Sequence, residues 1–293
     1  MHYSFSKAIV MNVTTYDTLN DKGEPLIFLL KTIFAEFLTY TAAELVVEIE
    51  KMNGRSLRSV LDDKSVKKMF ELLLKGEVRF VEIRDSYKMD EDPFGDEDEI
   101  KHYPPDFSLA IMCNHAVDYA PEAQRKFIFP NGLSLALNDR LFQGSIPLNI
   151  QDTFVGIFRR TLQSIGGVMG YVTYETSSAF VGGGSAFENY HRINTSLKPG
   201  YLDFIGGYFW LNYLNDNHIA RLGGPEFVRS HAPCEVVEPP GSGLLLRLTE
   251  NINHYSDDSL RDLRAFLAPL FPPDTGKNEP LKFEEGYLLR LVE

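Results

Sequence analysis

The chain of 293 residues is poor in cysteine and in uninterrupted apolar sequence. Only Cys113 and Cys234 occur, and neither has a neighbour at metal-ligand spacing, which argues against a disulfide framework and a cysteine zinc site. The longest apolar run is as short as Leu26–Leu30; it ends at Lys31 and falls far below the length of a membrane span. The first residues lack a basic region followed by a long apolar stretch, so no secretory signal is evident. We therefore expect a cytoplasmic protein with no membrane partner.

Basic residues are also in deficit. The chain has 29 Lys and Arg against 41 Asp and Glu, a net charge of −12. Proteins that bind nucleic acid neutralise its phosphates with clustered Lys and Arg, so this balance argues against direct nucleic-acid binding. The acidic excess suits solubility or a basic partner. Because 44% of the residues are apolar and 12% aromatic, most of the chain is expected to fold around a core.

Sequence signatures of catalysis are missing too. The seven histidines form no HxxxH, HxH or HExxH pattern. The glycine run at Gly182–Ser185 lacks the lysine of a phosphate-binding loop, and the chain has no GxSxG or GxGxxG motif. We therefore predict a protein that is not an enzyme and has no catalytic residues, cofactor or bound metal. A metal-dependent hydrolase with a site assembled from scattered His, Asp and Glu side chains is an open alternative.

Helix and strand patterns alternate along the chain and predict an α+β fold with mixed or antiparallel sheets. The order repeats loosely, which predicts one domain over residues 1–293 with possible lobes 1–145 and 146–293. An Asn131-Gly132 dipeptide predicts a hairpin turn. Predicted helices are Leu26–Met52, Asp63–Leu74, Asn149–Ile165, Ser185–Leu197 and Asp257–Leu270, and predicted strands are Ser6–Thr15, Glu77–Asp85, Asp106–Asn114, Leu133–Asn138, Val168–Thr176, Cys234–Glu238 and Leu244–Glu250.

The segment Asp90–Glu99 (DEDPFGDEDE) contains seven carboxylates in ten residues and lies between two predicted strands. One interpretation is a solvated loop without a partner. A calcium loop is a weaker one, because the Asp-x-Asx-x-Asx-Gly order is not met. The third is a mimic of nucleic-acid phosphate that enters a basic groove. On that interpretation, the partner-binding residues are Asp90, Glu91, Asp92, Phe94, Asp96, Glu97, Asp98 and Glu99.

An aromatic segment, Pro199–Gly224, holds the only tryptophan, Trp210. Aromatic side chains dominate core energetics, so the segment predicts a packed strand followed by a turn and a short helix. Asn215 or Asn217 is expected to cap the start of that helix. Gly223 is expected to adopt the left-handed conformation that closes its end.

The same segment resembles the immunity proteins of type VI secretion systems (T6SS) that accompany nuclease toxins of the VRR-Nuc kind and similar nuclease effectors. The shared order is a Pro-Gly pair, a hydrophobic strand, Trp-Leu-x-x-Leu, a short helix and Leu-Gly-Gly. Gly243–Thr249 and Leu260–Leu270 continue the resemblance downstream. The matching residues are Pro199, Gly200, Trp210, Leu211, Leu214, Leu222, Gly223 and Gly224.

The resemblance implies an antitoxin that binds a cognate toxic effector, a nuclease with a basic surface. An acidic inhibitor would be steered towards such a surface, because complementary potentials accelerate association. Covering the active site or the nucleic-acid groove would exclude the substrate without any chemistry. An adaptor of the secretion apparatus is a further alternative.

Overall fold

The computed structural model describes residues 7–85, 105–113, 131–176, 202–238, 241–254 and 256–271. Within these ranges lie ten strands and six α-helices, with short 3-10 turns at Asp139–Phe142, Ile252–His254 and Ala268–Leu270. The strands are β1 (Lys7–Thr15), β2 (Leu45–Lys51), β3 (Ser56–Val60), β4 (Val78–Asp85), β5 (Phe107–Met112), β6 (Asn131–Asn138), β7 (Met169–Thr176), β8 (Leu211–Leu214), β9 (Val236–Glu238) and β10 (Leu244–Arg247). The helices are α1 (Gly23–Phe37), α2 (Asp63–Leu74), α3 (Leu148–Ile165), α4 (Asp216–Arg221), α5 (Pro225–His231) and α6 (Asp257–Leu267).

The described strands form one sheet in the order β3-β2-β4-β5-β6-β1-β7-β8-β10-β9. Every neighbouring pair is antiparallel, which confirms the predicted α+β class. Strand β1 pairs with β6 on one side and β7 on the other, and so joins strands from both halves of the chain. The division into lobes 1–145 and 146–293 stays a prediction.

The two faces of the sheet differ in burial. Along β5 and β6, buried apolar residues alternate with half-buried small or polar ones, as expected when only one face meets the core. The buried face carries Ile9, Met11 and Val13 of β1 and packs against a helix layer that includes α1 and α3. In that layer the rings of Phe37 and Phe154 lie 5.1 Å apart. Within the described ranges, no helix combines the length and the apolar content needed to cross a membrane.

The predicted helix Leu26–Met52 is wrong in its second half. Helix α1 ends at Phe37, and the sequence LVVEIEK at Leu45–Lys51 forms strand β2. Leu45 and Ile49 are four residues apart, a spacing that fits both a helical stripe and one face of a strand. The β-branched residues between them and the alternation with charged side chains favour the strand, which gains partners on both sides in β3 and β4. The edge strand β3 is an element that the sequence analysis missed.

The predicted turn at Asn131-Gly132 is also wrong, because both residues belong to strand β6. Gly132 pairs with Thr14 of β1, and a Cβ atom at this position would lie 2.2 Å from the carbonyl oxygen of Val13. The glycine therefore permits close approach of two strands instead of a tight turn. The Asn131 side chain donates a hydrogen bond to the carbonyl oxygen of Asp17 at 2.9 Å.

Two of the described helices begin or end at residues that favour a helix terminus. The predicted helices at Asp63–Leu74 and Asn149–Ile165 are confirmed as α2 and α3. Asp62 caps α2 by accepting a hydrogen bond from the Ser65 backbone N–H at 2.7 Å. Helix α3 stops at Gly166, whose φ of 67° continues the chain in the left-handed region. The predicted helix Ser185–Leu197 lies outside the described residues.

The aromatic segment has the predicted role in the core. Trp210 is completely buried, and its indole N–H donates to the carbonyl oxygen of Thr249 at 2.9 Å. Strand β8 follows, and Asn215 then caps α4 by accepting from the backbone N–H of His218 at 2.9 Å. Gly223 has a φ of 107°, the left-handed conformation expected after this helix. The structure thus confirms the predicted order of strand, turn and capped helix.

Replacing Trp210 with alanine is expected to lower the free energy of unfolding by about 3–5 kcal/mol, because it empties a fully buried site and leaves the Thr249 carbonyl without its donor. The matched control is Phe227→Ala, at a ring that is 43% exposed, with an expected cost below about 1 kcal/mol. Urea denaturation followed by circular dichroism measures both. Equal losses in the two variants would contradict the core role of Trp210.

Candidate interaction surface

The eight predicted partner-binding residues, from Asp90 to Glu99, all lie outside the described residues. The structure does describe the positions where their segment joins the sheet. The chain leaves the described part at Asp85, the last residue of β4, and is described again from Pro105, two residues before β5.

Three charged side chains tie these flanks together and form what we call the loop neck. The buried Asp85 carboxylate accepts a hydrogen bond from the backbone N–H of Asp106 at 2.6 Å. The Asp106 carboxylate in turn pairs with Arg140 at 2.9 Å. Arg140 is positioned by the turn Asp139–Phe142, where the Asn138 side chain accepts from the Arg140 backbone N–H at 2.9 Å. The ends of β4 and β5 are thus held to each other and to the end of β6.

The strand register shows that the ends of several strands lie side by side at this end of the sheet. Arg84 pairs with Ser108, Ala8 pairs with Asn138, and Lys7 pairs with Thr176. The ends of β4, β6 and β7 therefore lie beside the starts of β1 and β5. Four strand spacings of about 4.8 Å separate β4 from β7, so the two strands lie roughly 19 Å apart at this end of the sheet. Residues 86–104 leave and rejoin the described chain here, and residues 177–201 leave it here, after Thr176.

The sheet face that lies opposite the helix layer carries charges of both signs. Glu48 lies directly across from Glu82, a like-charge pair that is unfavourable on its own. Arginines offset it: Arg84 lies 3.6 Å from the Glu82 carboxylate, and Arg58 is the cross-strand partner of Glu48. Nearby, Arg79 and Glu50 form an ion pair at 3.0 Å.

This group of side chains on β2, β3 and β4 contains three carboxylates and three guanidinium groups. It therefore contributes no net charge, whereas the segment Asp90–Glu99 alone holds seven acidic residues. The sequence analysis missed the group, although the alternating Val-Glu-Ile pattern in Val47–Ile49 and Val81–Ile83 would have indicated it.

The cavity beside the rings of Tyr171 and Phe209 is too small for an organic ligand. This cavity beside the ring stack has a volume of about 10 Å³, the space of one water molecule. Ligand pockets are more than ten times larger, at roughly 300–1,000 Å³. In the described ranges, no group of three or more His, Cys, Asp and Glu side chains is placed to hold a metal ion.

Burial controls the chemistry of both cysteines. It raises the pKa of the Cys113 thiol and of the Cys234 thiol to about 12. Both groups are consequently protonated at neutral pH. Because the thiolate is the reactive species, neither side chain has the environment of a nucleophile.

Both thiols are therefore expected to react with iodoacetamide at pH 8 at least about 100-fold more slowly in the native protein than in urea. Mass spectrometry of quenched samples gives the two rates separately. The urea-unfolded chain is the internal control, because both thiols then titrate near the ordinary cysteine pKa of about 8.5. Rapid native labelling of either residue would contradict the burial that raises its pKa.

Among solved structures, the fold is similar to that of the T6SS protein PA0821 of Pseudomonas aeruginosa. The TM-score is 0.58 at 11% sequence identity, and the likeness covers 98% of this chain and 81% of that one. No protein-family profile and no curated protein sequence matches the chain. At 11% identity, the likeness to the T6SS protein is one of fold.

Proposed function

We propose that this protein is an immunity protein that binds and neutralises a cognate T6SS nuclease effector. The observation that carries the proposal is a fold shared with a T6SS protein over 98% of the chain. The resemblance of the Trp210 segment to T6SS immunity proteins supports it independently. The proposed mode of action is occlusion, in which the protein covers the active site or the nucleic-acid groove of the effector.

The acidic segment Asp90–Glu99 is the proposed source of electrostatic recognition. Nucleic-acid grooves of nucleases are basic, and an acidic segment can enter such a groove in place of phosphate. The charged side chains described on β2, β3 and β4 balance one another, so they contribute little to this attraction. Long-range steering of the encounter would then depend mainly on the acidic segment.

The loop neck supports this role by fixing where the segment begins and ends. Asp85 is buried and hydrogen-bonded to Asp106, which is held by Arg140. Two anchored ends leave fewer chain conformations to be lost on binding than two free ends would. The neck thus offers a fixed frame from which the acidic segment could act.

The direct test is calorimetry between this protein and the toxin domain encoded beside its gene, with nuclease activity measured in parallel. We expect equimolar binding that abolishes cleavage and that weakens as salt is raised, because screening reduces the attraction between opposite charges. A control titration uses the toxin with the Trp210→Ala variant at a temperature where that variant is unfolded. Absence of binding by the folded wild type would reject the proposal and favour the adaptor alternative.

The role of the acidic segment is tested by neutralising Asp96, Glu97, Asp98 and Glu99 to Asn or Gln. We expect the association rate at low salt to fall by about 10-fold or more, with a shallower salt dependence. Stopped-flow fluorescence measures the rate. The matched control neutralises four exposed carboxylates elsewhere, namely Asp21, Glu36, Asp152 and Asp262. Equal slowing in both variants would assign the effect to net charge and not to the segment.

A further inference from the structure

The chain contains two Asn-Gly dipeptides, Asn53-Gly54 and Asn131-Gly132. Such a dipeptide can react with itself, because glycine places no side chain beside its own backbone nitrogen. That nitrogen can approach the Cγ atom of the preceding asparagine and close a five-membered succinimide ring. The fold places the two dipeptides in opposite environments, so we expect their reactivities to differ.

Asn53 and Gly54 lie in the turn between strands β2 and β3, and both are exposed. The Gly54 backbone N–H donates to the carbonyl oxygen of Lys51 at 2.9 Å, and the Lys51 N–H donates to the carbonyl oxygen of Arg55 at 2.9 Å. These two bonds close the hairpin. A Cβ atom at Gly54 would meet no heavy atom within 4 Å beyond its chain neighbours, so the space around the turn is open.

The side-chain amide of Asn53 is held in a way that favours attack on it. Its Oδ1 atom accepts a hydrogen bond from the Arg55 backbone N–H at 3.1 Å. Attack on Cγ develops negative charge on this oxygen, and a donor that is already in place stabilises that charge. The bond from Gly54 to Lys51 has to open before the Gly54 nitrogen can attack. In an exposed turn, this opening does not require the sheet to unfold.

The second dipeptide, Asn131-Gly132, is protected by the sheet. Both residues belong to β6, which pairs with β1 on one side and with β5 on the other. Asn131 is only 8% exposed, and its Nδ2 atom donates to the carbonyl oxygen of Asp17 at 2.9 Å. Gly132 lies so close to Val13 of β1 that the peptide has no room to rotate. Ring closure at Asn131 therefore requires β6 to leave the sheet.

We propose that Asn53 is a site of spontaneous deamidation. The Gly54 backbone nitrogen loses its proton to hydroxide and attacks Cγ of Asn53. A new C–N bond forms, and the C–N bond of the side-chain amide breaks and releases ammonia. Water then adds to either carbonyl carbon of the succinimide and opens the ring, which gives aspartate by one route and isoaspartate by the other. One water is consumed for each ammonia released, and nothing is oxidised or reduced.

The conversion changes the hairpin in two ways. Either product adds a carboxylate to a chain whose net charge is −12. Isoaspartate also routes the backbone through the former side chain, and the added methylene group disturbs the bonding between Lys51 and Arg55. In the described sheet β3 pairs with β2 alone, so a distorted turn should loosen β3 first. The proposal does not depend on the proposed function.

Peptide mass spectrometry of the full chain, incubated at pH 8 and 37 °C, tests the proposal. It follows the replacement of NH2 by OH at Asn53, with Asn131 as the control within the same chain. We expect native Asn53 to convert at least about 10-fold faster than native Asn131, because only Asn131 must wait for the sheet to open. In urea the two rates should agree within about three-fold, because the fold then protects neither residue. Equal rates in the native protein would overturn the proposal.

The matched variant is Asn53→Gln, which keeps an amide at the same exposed position but would have to close a larger ring. It should stay folded by circular dichroism and show no conversion at residue 53. After incubation, amide hydrogen exchange in β3 should be at least about three-fold faster in the wild type than in the variant, with equal exchange in β5. Equal exchange in β3 after Asn53 has converted would overturn the loosening of the hairpin.

Discussion

The pairing of β1 with two neighbours is the constraint on which the rest of the structure depends. This strand bonds to β6 and to β7, and in the strand order it alone links the block from β3 to β6 with the block from β7 to β9. Its inward residues Ile9, Met11 and Val13 are completely buried against the helix layer. Ala8, Val10 and Thr14 of the opposite face are buried as well. Backbone pairing on both sides and side-chain burial on both faces therefore act on the same nine residues.

Much of this fold could be predicted from local patterns. Strands such as β4, β5 and β7 alternate clearly, and α2 and α3 have both a helical stripe and a stop signal at Gly76 or Gly166. The two errors arise because a local pattern can fit more than one structure. A short apolar segment can fit both the helical and the strand period, and a glycine can permit either a turn or the close approach of two strands. Leu45 and Ile49 fit helix and strand alike, and Gly132 permits close strand approach where a turn seemed natural. In both places tertiary pairing decided the outcome.

Some features of the candidate site are visible in the local sequence, and others depend on residues that are far apart in the chain. The acidity of Asp90–Glu99 is visible in the sequence because it is a property of composition. The neck is not, because Asp85, Asp106 and Arg140 are separated by 21 and 34 positions and meet only through sheet register. The charge balance on β2, β3 and β4 likewise exists only once pairing brings Arg58 opposite Glu48 and Arg79 beside Glu50. Local sequence thus indicates where charge lies, and pairing determines which charges remain uncompensated.

The position of β1 has a consequence for biosynthesis. Residues 7–15 are made well before their partners in β6 and β7, which begin at Asn131 and Met169. Because synthesis proceeds at about 5–20 residues per second, the central strand waits roughly 8–30 s for both partners. Non-local pairing of this kind also slows folding itself. During that interval an apolar strand with two open edges is available to chaperones, and the nascent chain is at its most vulnerable to aggregation.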